Sequence, residues 1–387
     1  MTLIHFNMTR QVFFAGFSLT LSAALTYYVN SSFLESLVGE KRVGLIYAVS
    51  ALVTLTFILF VPRLSKCLGL LKLSRGIALI FFAGTATLSF VEIPIIQLLA
   101  FIITHSTVVG LGLCLDIYLE TLSADHRTGR IRGGYLTMIN AAVLISPFIS
   151  GTVLNRAANS HFDYQIIYFL SCLAALPLLY QLFWQLTPRP LPLQPLGLRH
   201  RLLRDPNIRK ILLLDFFLNL FYFFMVIYLP LHLLHTIGFS WGNIGFIFTI
   251  MLLPFVLIEY PLGWLADRKF GEKEILSIGL VIAAIFTLPI AFITTKNILF
   301  WAILLFLTRV GASAIEAMKD AYLFKKVTGN DIGIISLSRL MIPLAYLIGS
   351  LIALIVLRFF PISSLFLLIS VLFLLGLYSS LTLEDTK

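Results

Sequence analysis

An all-α, polytopic membrane fold with about twelve spanning helices is predicted, on three observations. Hydrophobic residues fill 59% of the 387 positions and charged residues only 12%, whereas a soluble domain holds about 45–50% and about 25%. That charge content is too small to solvate a globular surface, so lipid must be the solvent for most of it. Apolar runs of the roughly 20 residues needed to span a bilayer recur along the whole chain. The runs are continuous rather than alternating, which argues against membrane β-strands.

In order, the spans fall near 11–33, 43–61, 74–91, 95–121, 132–154, 164–186, 211–234, 242–264, 275–294, 297–322, 333–357 and 362–382. The core of the first, Val12 to Val29, is longer than a signal-peptide core and no cleavage site follows it, so it reads as a retained helix. The longest polar gap, 187–210, carries Pro188, Pro190, Pro192 and Pro195, then Arg199, Arg201 and Arg204. Prolines at that spacing make an extended linker, and the arginines suit either anionic lipid headgroups or a plain cytoplasmic connection. The linker divides an N-terminal six-helix bundle, 1–186, from a C-terminal one, 211–387. Cys67, Cys114 and Cys172 form no CxxC pair, so neither a disulfide framework nor a metal site is expected.

The net charge of +10 does not point to nucleic acid, because the basic residues sit in short gaps between apolar runs. With the N-terminus inside, the inner loops collect Arg63, Lys66, Lys72, Arg75, Arg127, Arg130, Arg132, Arg268, Lys269, Lys273, Lys325 and Lys326, beside the linker arginines. The outer loops hold only Lys41, Arg42, Arg156, Lys296 and Arg358. This bias places both termini in the cytoplasm and supports an even number of spans. An integral, multi-pass protein of a bacterial inner (plasma) membrane is expected, as a monomer among membrane lipids.

The two halves repeat one another. A shift of 200 residues brings Asp116 onto Glu316, Glu120 onto Asp320, and Thr128-Gly129 onto Thr328-Gly329. A shift of 201 lays 43–47 on 244–248. Two parallel six-helix halves related by an axis along the membrane normal are one of the known transporter architectures. The segment Gly263-Trp264-Leu265-Ala266-Asp267-Arg268-Lys269-Phe270-Gly271-Glu272-Lys273 resembles the Gly-x-Leu-Ala-Asp-Arg-x-Gly-Arg loop of the major facilitator superfamily. It has one extra residue before the second glycine, and Glu272 in place of a base. Ala142 and Ser146-Pro147-Phe148-Ile149-Ser150-Gly151 are similar to the signature of that superfamily's antiporters, with small residues replacing glycine. The resemblance implies a facilitator fold with a central cavity lined by spans 1, 4, 7 and 10. It also implies a cytoplasmic gate built from Gly263, Asp267, Arg268 and Gly271, with Glu259 one turn ahead and Arg130 and Arg132 as partners; a static turn is the alternative.

Ionisable groups inside spans cost about 2.5–3.5 kcal/mol each on insertion scales and mark function by default. Arg309, Ser313, Glu316 and Asp320 share one face of the tenth span by their i, i+4, i+7, i+11 spacing. Arg309 is read either as a donor to an anionic or polar solute group or as the partner of Glu316 or another acid. Glu316 and Asp116 are candidate proton carriers, since an apolar surrounding favours the neutral form of a carboxyl. Glu120, Lys319 and Asp320, nearer the cytoplasmic end, read as structural ion pairs.

His105 lies on the face of Asp116 and is read as packed and hydrogen-bonded in preference to a proton relay. Many proton-linked members of the superfamily carry an arginine four residues before the fourth-span glycine; here that position is Ser106. The seventh span offers Asp215, Asn219, Tyr222, Tyr228 and His232, and the first offers Gln11, Tyr27, Tyr28 and Asn30. Such groups suit a small organic ligand, and the tyrosines equally suit an interfacial aromatic belt.

The expected function is secondary transport of a small-molecule solute, with H+ as a candidate coupling ion, efflux as the favoured direction, and no cofactor, metal or nucleic acid. A membrane-embedded enzyme is the first alternative, although HExxH is absent from the sequence. A non-transporting receptor or scaffold is the second.

Overall fold

Lipid supplies no partner for backbone N–H and C=O groups, so each spanning segment has to satisfy its own. The computed structural model answers that demand with helices alone among its described residues, which are 2–122, 128–156, 161–188, 205–258, 261–262, 265–266, 271–326 and 332–384. The helices are α1 Thr2–Tyr27, α2 Asn30–Val38, α3 Glu40–Leu68, α4 Leu70–Phe90, α5 Pro94–Leu122, α6 Thr128–Arg156 and α7 His161–Tyr180. They continue as α8 Pro206–Leu231, α9 Trp241–Leu257, α10 Glu272–Thr287, α11 Ile298–Lys326, α12 Ile332–Phe359 and α13 Ser363–Leu381. Ten described helices are long and apolar enough to span; α1 with α2 forms a bent pair, and α9 is a shorter apolar helix. Large apolar side chains such as Leu52, Ile80, Leu99, Phe148, Ile285 and Leu375 lie exposed, the outward face a lipid solvent requires.

The chain divides into two compact units, Met1–Leu193 and Gln194–Lys387. In the first, α1 packs on α5, α6 and α7, α4 packs on α5 and α7, and α3 packs on α5. In the second, α8 packs on α11, α12 and α13, α10 packs on α11 and α13, and α9 packs on α11. The two sets of pairings are the same set when α1 and α3–α7 are read in order against α8–α13. The repeat seen as a residue shift is therefore a repeat of packing.

Local chemistry shapes each unit. The first predicted span is broken: α1 and α2 meet at 47°, with Tyr28 buried at the break. There Thr26 turns its hydroxyl back onto the Ala23 carbonyl (2.9 Å), and Asn30 accepts a bond from the Tyr168 hydroxyl (2.8 Å). Side-chain bonds of this kind bend helices at the points where they compete with the ladder. Pro177 interrupts α7, and Ser18 of α1 bonds both groups this frees. Its hydroxyl donates to the Ala174 carbonyl and accepts from the Leu178 N–H (3.2 Å). A turn above, Ser22 donates to the Ser171 carbonyl (2.7 Å) and Ser171 donates to the Ser22 carbonyl (2.7 Å). Gly39 and Gly69 end their helices at φ +80° and +81°, a conformation that costs an L-residue roughly 1 kcal/mol or more.

A close backbone approach in the second unit joins α10 to α11. A Cβ at Gly311 would lie 2.4 Å from the Ala283 nitrogen and 2.6 Å from the Gly279 oxygen. The obstacle is backbone, which cannot step aside as a side chain can, so small residues are required at this crossing. Gly311→Ala should lower the thermal stability of purified protein by an amount in the range of about 1–3 kcal/mol typical of overpacking. Gly112→Ala, in α5 with nothing within 4 Å of its added Cβ, should not. Equal melting curves for the two variants would contradict this packing.

Candidate functional site

The second unit concentrates its buried charge where α8 and α11 meet. On α8, Asp215, Asn219 and Tyr222 are spaced i, i+4, i+7 and share one face. On α11, Arg309, Glu316 and Lys319 rise through the corresponding length. Ser338 of α12 completes the cluster.

Asp215 is bonded through both of its carboxylate oxygens. Its Oδ1 meets the Lys319 ammonium at 3.0 Å and accepts from Asn219 Nδ2 at 2.9 Å. Its Oδ2 accepts from the Ser338 hydroxyl at 2.5 Å. Asn219 also donates to the Asp215 carbonyl (2.8 Å). Lys319 makes a second ion pair, with its neighbour Asp320 at 3.0 Å. The side chain of Asp215 is 1% exposed and that of Lys319 9%, against 40% for Asp320. The energetic weight of the triad therefore rests on the Asp215–Lys319 bond, because exposed pairs contribute little.

Further along α11, Glu316 accepts a 2.5 Å hydrogen bond from the Tyr222 hydroxyl. The Tyr222 ring also stands 5.4 Å from the Arg309 guanidinium, and Phe221 covers that guanidinium at 4.8 Å. Arg309 does not pair with Glu316, and among the described residues no acid lies within 4.0 Å of it; of the two sequence readings, the ion pair is not formed. Its Nε and Nη1 are buried and meet no hydrogen-bond acceptor. Ser313, placed on the same face by spacing, donates to the Val310 carbonyl of its own helix (3.1 Å) and takes no part in the cluster.

The first-unit candidates are not gathered in this way. His105 bonds Ser50 through Nδ1 at 3.0 Å, stacks on Phe101 and meets Tyr47 edge-on, which is the packed, hydrogen-bonded role. Asp116 lies along the same helix, half-buried. Tyr28 sits at the α1–α2 break. Gln11 donates to Gln185 at 3.1 Å.

Of the expected gate, Gly271 caps α10: its N–H donates to the Glu274 carboxylate at 3.0 Å. Glu272 follows it, buried in the first turn, where a helix favours acids. Glu259, Gly263, Asp267 and Arg268 lie outside the described residues, and of Arg130 and Arg132 only the helical backbone is described. Among the described residues, no group of three or more His, Cys, Asp or Glu side chains is arranged to hold a metal ion.

Sequence reading understated Asp215 and did not identify Ser338. The spacing of Asp215 and Asn219 on α8 was visible; that Lys319 of α11 is their partner depends on helix rotation.

Many apolar helices and a recurring packing order define an integral, multi-pass membrane protein. Residues 228–386 match the family model of the Major Facilitator Superfamily, and no curated protein matches the chain. The match covers most of the second unit, including the 263–273 loop. With the fold, it makes the second unit similar to the transporters of that superfamily.

Removing one member of the buried pair strands the other. Lys319→Met should destabilise the protein by about 3–5 kcal/mol, and adding Asp215→Asn should restore most of that loss. Thermal unfolding of the two single variants and the double variant checks this. Strictly additive losses would show that the pair does not act as a unit.

Proposed function

We propose that the protein is a secondary active transporter that moves a small organic solute by alternating access, with proton-linked efflux as its direction and drive. The observation that carries the proton role is the Tyr222–Glu316 bond beside the Arg309 guanidinium. A carboxyl held by one hydroxyl at a helix interface has room to change protonation. When it is ionised, Tyr222 donates to a charged acceptor; when it gains a proton, it keeps one acceptor oxygen, adds an O–H donor, and the bond from Tyr222 loses its charge assistance. A proton arriving at Glu316 thus changes the tie between α8 and α11, the two helices that carry Asp215, Arg309, Glu316 and Lys319.

The efflux direction is supported by the likeness of 142–151 to the antiporter signature. The excess of Lys and Arg in alternate loops supports cytoplasmic termini, and a bacterial plasma membrane is the proposed location. Ser106 stands where many proton-linked members of the superfamily carry arginine, a departure that counts against proton coupling through the first unit. Neither the enzyme nor the receptor reading has a specific observation in its favour.

Purified protein in liposomes with an imposed pH gradient, challenged with a panel of small organic solutes, tests the reading. Gradient-dependent accumulation of at least one solute is expected. Glu316→Gln should abolish uphill transport while sparing exchange, because the amide still accepts from Tyr222 but carries no proton. Undiminished uphill transport by that variant would remove Glu316 from the coupling role, and absence of flux across the panel would count against transport itself.

A further inference from the structure

A guanidinium in the interior of a membrane protein requires an anion, and among the described residues Arg309 has none. It is 1% exposed, with Nε and Nη1 unbonded and two rings, Phe221 and Tyr222, as its neighbours. A cation–π contact contributes about 0.5–2 kcal/mol, whereas an unpaired buried ion costs several. The rings alone do not offset that cost. The acids within reach of α8 and α11 are engaged elsewhere: Asp215 holds Lys319, Asn219 and Ser338, and Glu316 holds Tyr222.

We infer that Arg309 is the anion-binding group of the solute site: the transported solute carries a carboxylate or phosphate that takes the free Nε and Nη1 donors, and a planar apolar body that packs along Phe221 and Tyr222. The inference rests on the transporter reading for the word solute and deepens it by naming the head group. The donor geometry supports it. Nε and one terminal nitrogen form the guanidinium edge that two oxygens of one carboxylate or phosphate can bridge. The ring faces already hold the guanidinium plane, so little ordering remains to be done when the anion arrives. Tyr222 is shared between this site and Glu316, which places solute charge and proton on either side of one ring.

The test is binding, so that it is independent of flux. Benzoate, phenyl phosphate and inorganic phosphate are added to purified full-length protein, with neutral benzamide as the uncharged control, and the unfolding midpoint is recorded. At least one anion should raise the midpoint while benzamide does not, with phenyl phosphate exceeding inorganic phosphate. Arg309→Gln should weaken the effective anion by roughly tenfold to a hundredfold, the range of one lost charge-assisted hydrogen bond. Arg309→Lys, a charge without the fork, should fall between.

If Arg309→Gln does not fold, the unmodified protein still decides the matter. The same anions should protect Arg309 from the arginine-selective reagent phenylglyoxal, read by peptide mass, and benzamide should not. No stabilisation by any of the three anions, equal stabilisation by benzamide, or an unaltered response in Arg309→Gln overturns the inference. Binding at Arg309 without flux for any solute would instead overturn the transporter reading and leave the anion site standing. Flux of neutral solutes alone would do the reverse.

Discussion

The Asp215–Lys319 ion pair is the interaction on which the interior of the second unit depends. Two opposite charges removed from water remain tolerable only while they face each other and while their remaining bonds are filled. Asn219 and Ser338 fill those bonds, so α8, α11 and α12 are held in one rotational setting by a single carboxylate. That setting brings Tyr222 against Glu316 and Phe221 over Arg309. Lys319 is thus structural at its own position and permissive for the chemistry about one and about three turns away along α11, at Glu316 and Arg309.

The two units show how one scaffold can be kept while its chemistry is divided. Their helices pair in the same order, yet the positions of Arg309 and Lys319 in α11 correspond under the 200-residue shift to Val109 and Leu119 in α5. The acids are retained, as Asp116 and Glu120; the cations are not. The first unit uses neutral bonds in their place: serine hydroxyls between α1 and α7, and an imidazole stacked on Phe101. The interior cations at these two positions therefore belong to the second unit alone, and the proposed solute site uses one of them.

Most of the fold was legible in the sequence because lipid imposes a coarse rule: a run of apolar residues is a helix, and its length is its span. The residue shift between halves was equally legible, since it needs no geometry. The break at Tyr28 was not, because the bonds of Asn30 to Tyr168 and of Thr26 to Ala23 have no hydropathy signature. The bridging of α7 by Ser18 was hidden for the same reason.

Within the site, spacing alone put Arg309, Ser313 and Glu316 on one face but could not say which of them turns to a neighbour. Ser313 bonds its own helix, Glu316 takes Tyr222, and Arg309 stays between rings. Partnership depends on the rotation of α8 against α11, which packing decides.

The central claim is that this polar interior serves a solute that crosses the membrane. Counterflow tests it most directly: liposomes preloaded with an unlabelled solute that binds the protein are diluted into a trace of the same solute carrying a radiolabel, with no ion gradient. Transient accumulation of label above equilibrium is expected, abolished when the preload is omitted, because only a site that opens alternately to the two sides exchanges one molecule for another. Binding of the labelled solute with no counterflow by folded protein would contradict it.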